Sequence, residues 1–175
     1  MLARKMTLSA IAFCAWTLAA HAGETSFELG YYEDWPGGKE LAAHDYAAAI
    51  AAASRSGSSA DPLIALIGST NLCVAYTKTG AFKEASKACD AAVTLARSVD
   101  SPLVRSLSRD SATSRALSNR GVLRALRGDA ARATSDLRAA QKSFGSSEVP
   151  ARNLAHLESL PTYRERVALA DSLAD

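Results

Sequence analysis

The sequence predicts an all-α fold, and three observations predict it. Ala, Leu, Ser and Arg dominate the chain while aromatics make up only 6% of it, a balance that suits helices. Apolar and small residues recur at three- and four-residue spacing, most clearly Phe82, Ala85, Cys89, Ala92 and Ala96, which places them on one face of a helix. A helix–turn–helix unit also recurs: a shift of 48 carries Gly80 onto Gly128, Ala85 onto Ala133, Cys89 onto Leu137 and Ala92 onto Ala140.

The chain is organised around Ser69–Arg97. Leu72, Cys73, Ala75 and Tyr76 form the stripe of a first helix, and Phe82 to Ala96 that of a second. Gly80 separates them, because it takes the left-handed conformation that ends a helix. In Asn71-Leu72, the small residue at Cys73, Ala75-Tyr76, Gly80, Ala85 and Ala92, the stretch resembles a tetratricopeptide repeat. The resemblance extends loosely over His44–Ala174. It implies a short right-handed α-solenoid of about three antiparallel helix hairpins, and a protein-binding role without turnover.

From the N-terminus, Met1–Ala22 reads as a secretory signal, with Arg4 and Lys5, an apolar run Leu8–Ala20 and the small-x-small site Ala20-His21-Ala22. Cleavage leaves 175 − 22 = 153 residues and 20 − 2 = 18 basic against 18 acidic side chains. That balance removes a whole-chain argument for nucleic acid. Residues 23–38 form an aromatic arm: Phe27, Tyr31, Tyr32 and Trp35 crowd into it, and Trp35-Pro36-Gly37-Gly38 ends it as a turn. Residues 39–175 make the helical domain. Lys39–Ser56 reads as one Ala-rich helix whose His44-Asp45-Tyr46 aligns with Gly80-Ala81-Phe82 at an offset of 36. Asp61-Pro62 starts the next helix. Beyond Val99, the extra length through Ser101-Pro102-Leu103, Arg105 and Leu107 is expected to lengthen the helices flanking the loop, before a second hairpin over Ser114–Phe144. Pro150–Leu160 follows as a helix, with Asn153 34 residues after Asn119, which itself lies 48 after Asn71, and Tyr163, Val167, Ala170 and Leu173 outline a last one.

Chemistry finds little footing. His44 and His156 lack neighbours at metal-ligand or triad spacing, and Trp-Pro-Gly-Gly is a turn rather than a phosphate loop. No catalytic residue, metal site or cofactor is expected. Arg120, Arg124 and Arg127 form a stripe that suits an acidic peptide. The reading preferred for it is a solvated face balanced by Asp129 and Asp136. Since Arg120 and Arg124 stand where Leu72 and Tyr76 stood, their helix is expected to rotate and present Val122, Leu123 and Leu126, or to send the arginines past the core.

The resemblance implies a concave groove lined by the first helix of each hairpin. Its residues here are Ile67, Thr70, Val74, Thr77 and Lys78, then Arg115, Ser118, Val122, Ala125 and Leu126, then Arg152 and His156. A protein or peptide partner, or the chain's own ends, would fill it. Cys73 and Cys89 lie seven residues before and nine after Gly80, so both project between the two helices of one hairpin. Their counterparts elsewhere are not cysteine, and a disulfide is expected in an oxidising compartment. The function expected is an interaction module of the periplasm or cell envelope. Its rivals are a thiol redox protein using Cys73 and Cys89 and a non-catalytic subunit of an envelope enzyme.

Overall fold

The computed structural model describes residues 26–98, 109–163 and 165. The signal expected over Met1–Ala22, the connection through Ser101-Pro102-Leu103 and most of the last amphipathic helix lie outside them. Among the described residues every regular element is helical. In chain order these are α1 (Gly38–Ala42), α2 (Tyr46–Gly57), α3 (Pro62–Lys78), α4 (Phe82–Ser98), α5 (Arg109–Leu126), α6 (Ala130–Ser143) and α7 (Val149–Ser159). Each of α2 to α6 packs most extensively on its neighbours in sequence, and α5 also touches α3 and α7.

Three turns share one backbone design. His44, Gly80 and Gly128 take left-handed φ values of 59, 73 and 78°. The N–H of each donates three residues back, to the carbonyls of Leu41, Thr77 and Ala125. The next residue's N–H donates five back, from Asp45 to Glu40, Ala81 to Tyr76 and Asp129 to Arg124. This pair of bonds closes the orphan carbonyls of a helix end. Asp45 and Asp129 then cap the following helices by accepting from Ala48 N and Arg132 N, and Asp61 caps α3 through Leu63 N and Ile64 N.

The first of these turns corrects the single helix expected over Lys39–Ser56. The chain folds back at His44, and the alignment of His44 with Gly80 is an alignment of turns. A non-glycine side chain meets a steric penalty in this conformation, and the Asp45 cap follows directly after it.

The core is built from small residues with a few large ones. Leu66 packs with Ala92, Val93, Ala96, Ala116 and Leu117, while Cys73, Ala85, Cys89 and Leu123 form an adjoining cluster. Small side chains let helices approach closely: a Cβ on Gly68 of α3 would lie 2.2 Å from the backbone nitrogen of Gly57 in α2. Cys73 and Cys89 face each other across the α3–α4 interface with Cα atoms 4.8 Å apart and are joined as a disulfide, as their positions about Gly80 predict. Both are at most 1% exposed.

On α5 neither expected outcome for the arginines holds. The helix keeps its face, burying Val122 and Leu123, while Leu126 is 48% exposed. The arginines are held by a carboxylate instead. Arg120 makes two bonds to Asp136 of α6 (2.8 and 2.9 Å), and Arg124 adds a third at 2.6 Å. Asp136 is 5% exposed, so paired charge replaces the apolar contact of the preceding hairpin.

Candidate functional site

Residues 26–36 lack helix and cross the first helices of successive hairpins in the direction opposite to chain order. Each of those helices presents one buried asparagine: Asn71 on α3, Asn119 on α5 and Asn153 on α7, none more than 1% exposed. A primary amide offers an acceptor and a donor side by side, and each asparagine spends both on one residue of the crossing segment. Tyr32 N–H donates to Asn71 Oδ1 (2.9 Å), and Asn71 Nδ2 donates back to the Tyr32 carbonyl (3.1 Å). Gly30 is held the same way by Asn119, at 2.8 and 2.6 Å. Glu28 is held by Asn153, at 2.8 and 2.8 Å. Alternate residues of an extended chain turn their N–H and C=O to the same side, so one amide per helix suffices at every second residue. Asn71 Nδ2 also reaches the Pro36 carbonyl, and Asn153 Nδ2 reaches Ser118 Oγ.

The side chains of the segment add further contacts. Glu28 forms a forked ion pair with Arg152 (2.7 and 2.9 Å), which also meets Glu148. The hydrogen bonds and charge of Arg152 hold the Glu28 carboxyl below its ordinary value, against a smaller opposing effect of desolvation. The Arg115 guanidinium lies 4.2 Å from the centroid of the Tyr32 ring. Burial raises the Tyr32 phenol above its ordinary value, and Arg115 only partly opposes this. Phe27 meets His156 edge to face at 4.5 Å. Leu29 and Tyr31 pack on the cluster of Leu41, Ala49, Val74 and Ala75, and Tyr32 and Trp35 on Leu63 and Ile67.

The groove residues expected from the sequence divide three ways. Arg115, Arg152 and His156 contact the segment directly, and Ala125 joins the cluster into which Phe27 packs. Ile67, Thr70, Val74, Thr77, Ser118 and Val122 are at most 4% exposed with the segment in place. Ile67 and Val74 belong to the clusters on which the segment packs, and Thr70 and Thr77 turn their hydroxyls onto the Leu66 and Cys73 carbonyls. Lys78 and Leu126 are exposed at helix ends. The asparagines were visible in the sequence only as repeat markers. The signal for a role was there: an amide recurring where a helix buries its face must find partners.

On the α4–α6 side a second cleft of ≈ 300 Å³ is lined by Ser86, Asp90, Arg120, Arg124, Arg127 and Arg132 among others. Its cations are already engaged: Arg120 with Asp90 and Asp136, Arg124 with Asp136, Arg132 with Asp129 and Arg127 with Ser86. The solvated face expected for the arginine stripe, balanced by Asp129 and Asp136, is met only in part: Asp136 pairs with Arg120 and Arg124, but those side chains are only 17% and 24% exposed and Asp129 pairs with Arg132 instead. Comparison with known proteins gives no match to a family model, to a curated sequence or to a solved structure.

Proposed function

We propose that the chain is an exported protein–protein interaction module, a tetratricopeptide-like adaptor of the periplasm or cell envelope that binds an extended polypeptide segment without turnover. The observation that carries this reading is the asparagine ladder. It grips the N–H and C=O that every peptide possesses, at two-residue spacing, and leaves sequence preference to the side chains around it. In the resting chain residues 26–36 fill the groove, so a partner segment competes with them. A buried cysteine pair at bonding distance favours an oxidising compartment. It also disfavours the redox rival, which needs an exposed thiolate.

The test uses the full mature chain with its own segment weakened by Phe27→Ala and Tyr32→Ala. A labelled peptide spanning Ser26–Pro36 should bind it saturably, and Asn71→Ala with Asn119→Ala should abolish that binding. Absence of saturable binding in trans would reduce the ladder to an internal clasp and remove the adaptor reading.

A further inference from the structure

The segment that fills the groove meets one of its cations with an aromatic ring and no carboxylate. Residues 28, 30 and 32 share one face of the extended chain, and two arginines meet that face. Arg152 takes the Glu28 carboxylate. Arg115 flanks the next position, where the residue is Gly30: a Cβ there would lie 3.0 Å from Arg115 Cγ. The ion pairs among the described residues engage Arg120, Arg124, Arg132, Arg138 and Arg152, and Arg115 is in none of them. The residue is half-buried and its guanidinium rests on the Tyr32 ring. Beside it a cavity of ≈ 180 Å³ is bordered by Gly30, Tyr31, Arg115, Ser118, Asn119 and Val149. A cation partly removed from water gains most from a carboxylate placed within hydrogen-bonding reach.

We infer that the partner segment is acidic at two alternate positions, a carboxylate–x–carboxylate pair that seats its first acid on Arg152 and its second on Arg115 in the slot that Gly30 occupies. The inference rests on the adaptor reading and adds the chemistry of the partner to it. The chain's own segment is then the weaker ligand, matching the ladder and one arginine only. A competing segment gains a second ion pair without losing a backbone bond. Arg115 has a flexible stem that can move the few tenths of an ångström a Cβ requires.

The experiment compares three peptides spanning Ser26–Pro36 on the arm-weakened full chain: the native sequence, one with Asp and one with Asn at position 30. Asp and Asn add the same Cβ and nearly the same volume, so their difference isolates the charge. At low ionic strength the Asp peptide should bind roughly tenfold more tightly than the Asn peptide. Added salt should narrow the gap, and Arg115→Gln should close it. Equal binding of the Asp and Asn peptides beside measurable binding of the native one overturns this inference and leaves the adaptor reading standing. If no peptide binds, the adaptor reading fails and takes the inference with it. A measurement in cis supplies a second check: Gly30→Asp should slow amide exchange of residues 28–32 relative to Gly30→Asn, and equal exchange counts against the Arg115 slot.

Discussion

Replacing Asn119 by alanine removes the middle step of the ladder. The two bonds lost are 2.8 Å from the Gly30 N–H and 2.6 Å to the Gly30 carbonyl. Each such bond contributes about 0.5–1.5 kcal/mol net, so the pair holds the segment by about 1–3 kcal/mol. Gly30 is only partly buried, and its freed groups regain water when the segment lifts, which favours the lower half of that range. At about 1.4 kcal/mol per factor of ten, the opening equilibrium of residues 28–32 should rise roughly tenfold. Native-state hydrogen exchange resolves such local opening from global unfolding. The Gly30 amide should exchange about ten times faster while α4 amides keep their protection. Asn119→Asp should be at least as damaging at neutral pH, since it faces a carboxylate to the Gly30 carbonyl in a site 1% exposed. Unchanged exchange at Gly30 in a folded Asn119→Ala protein would refute the idea that the amide holds the segment.

Three further outcomes are expected. The segment should loosen at both extremes of pH. Glu28 titrates below its ordinary 4.5 when seated, so the detached chain binds more protons. The Glu28 contribution is therefore present above 4.5 and lost as pH falls through the seated value; Tyr32, raised above 10.0, loses its contribution as pH climbs past 10, and flat exchange at residues 28–32 across both windows would contradict this. Gly68→Ala should destabilise by about 1–3 kcal/mol through overpacking against the Gly57 backbone, and a melting temperature raised by better helix propensity would contradict the close approach. Alkylation of denatured, unreduced mature protein should label neither Cys73 nor Cys89, and reduction should cost about 3 kcal/mol for a loop spanning 16 residues; two labels per chain would dismiss the bond.

What the sequence disclosed follows from which residues have few alternatives. Gly80 and Gly128 announce their turns because a left-handed residue is usually glycine, whereas His44 occupies the same conformation by virtue of its neighbours and reads as mid-helix. Cys73 and Cys89 could be paired because each stands where its counterparts in the other hairpins are not cysteine. The groove was harder. α3 is apolar or small on nearly every side, since α2, α4 and the N-terminal segment all cover it, so periodicity could not say which side of Ile67 or Val74 was free. Asn71, Asn119 and Asn153 were found at their repeat positions, but their partners lie 39, 89 and 125 residues away. No local pattern encodes such a pairing. Asp136 likewise reads as a surface residue until Arg120 and Arg124 are seen to converge on it.

A stack of helix pairs in which each contacts only its neighbours loses structure from its ends, one unit at a time. Here residues 28–32 bond to three helices that are far apart in the chain, so opening the last pair also releases a bond to the segment that secures the first. Closing the longest of these contacts instead of the shortest, 125 residues against 39, costs only about 1 kcal/mol more in chain entropy, comparable to a single ladder bond. The N-terminal segment thereby adds long-range ties to helices that otherwise pack mainly on their sequence neighbours, and its release should lower the cooperativity of melting.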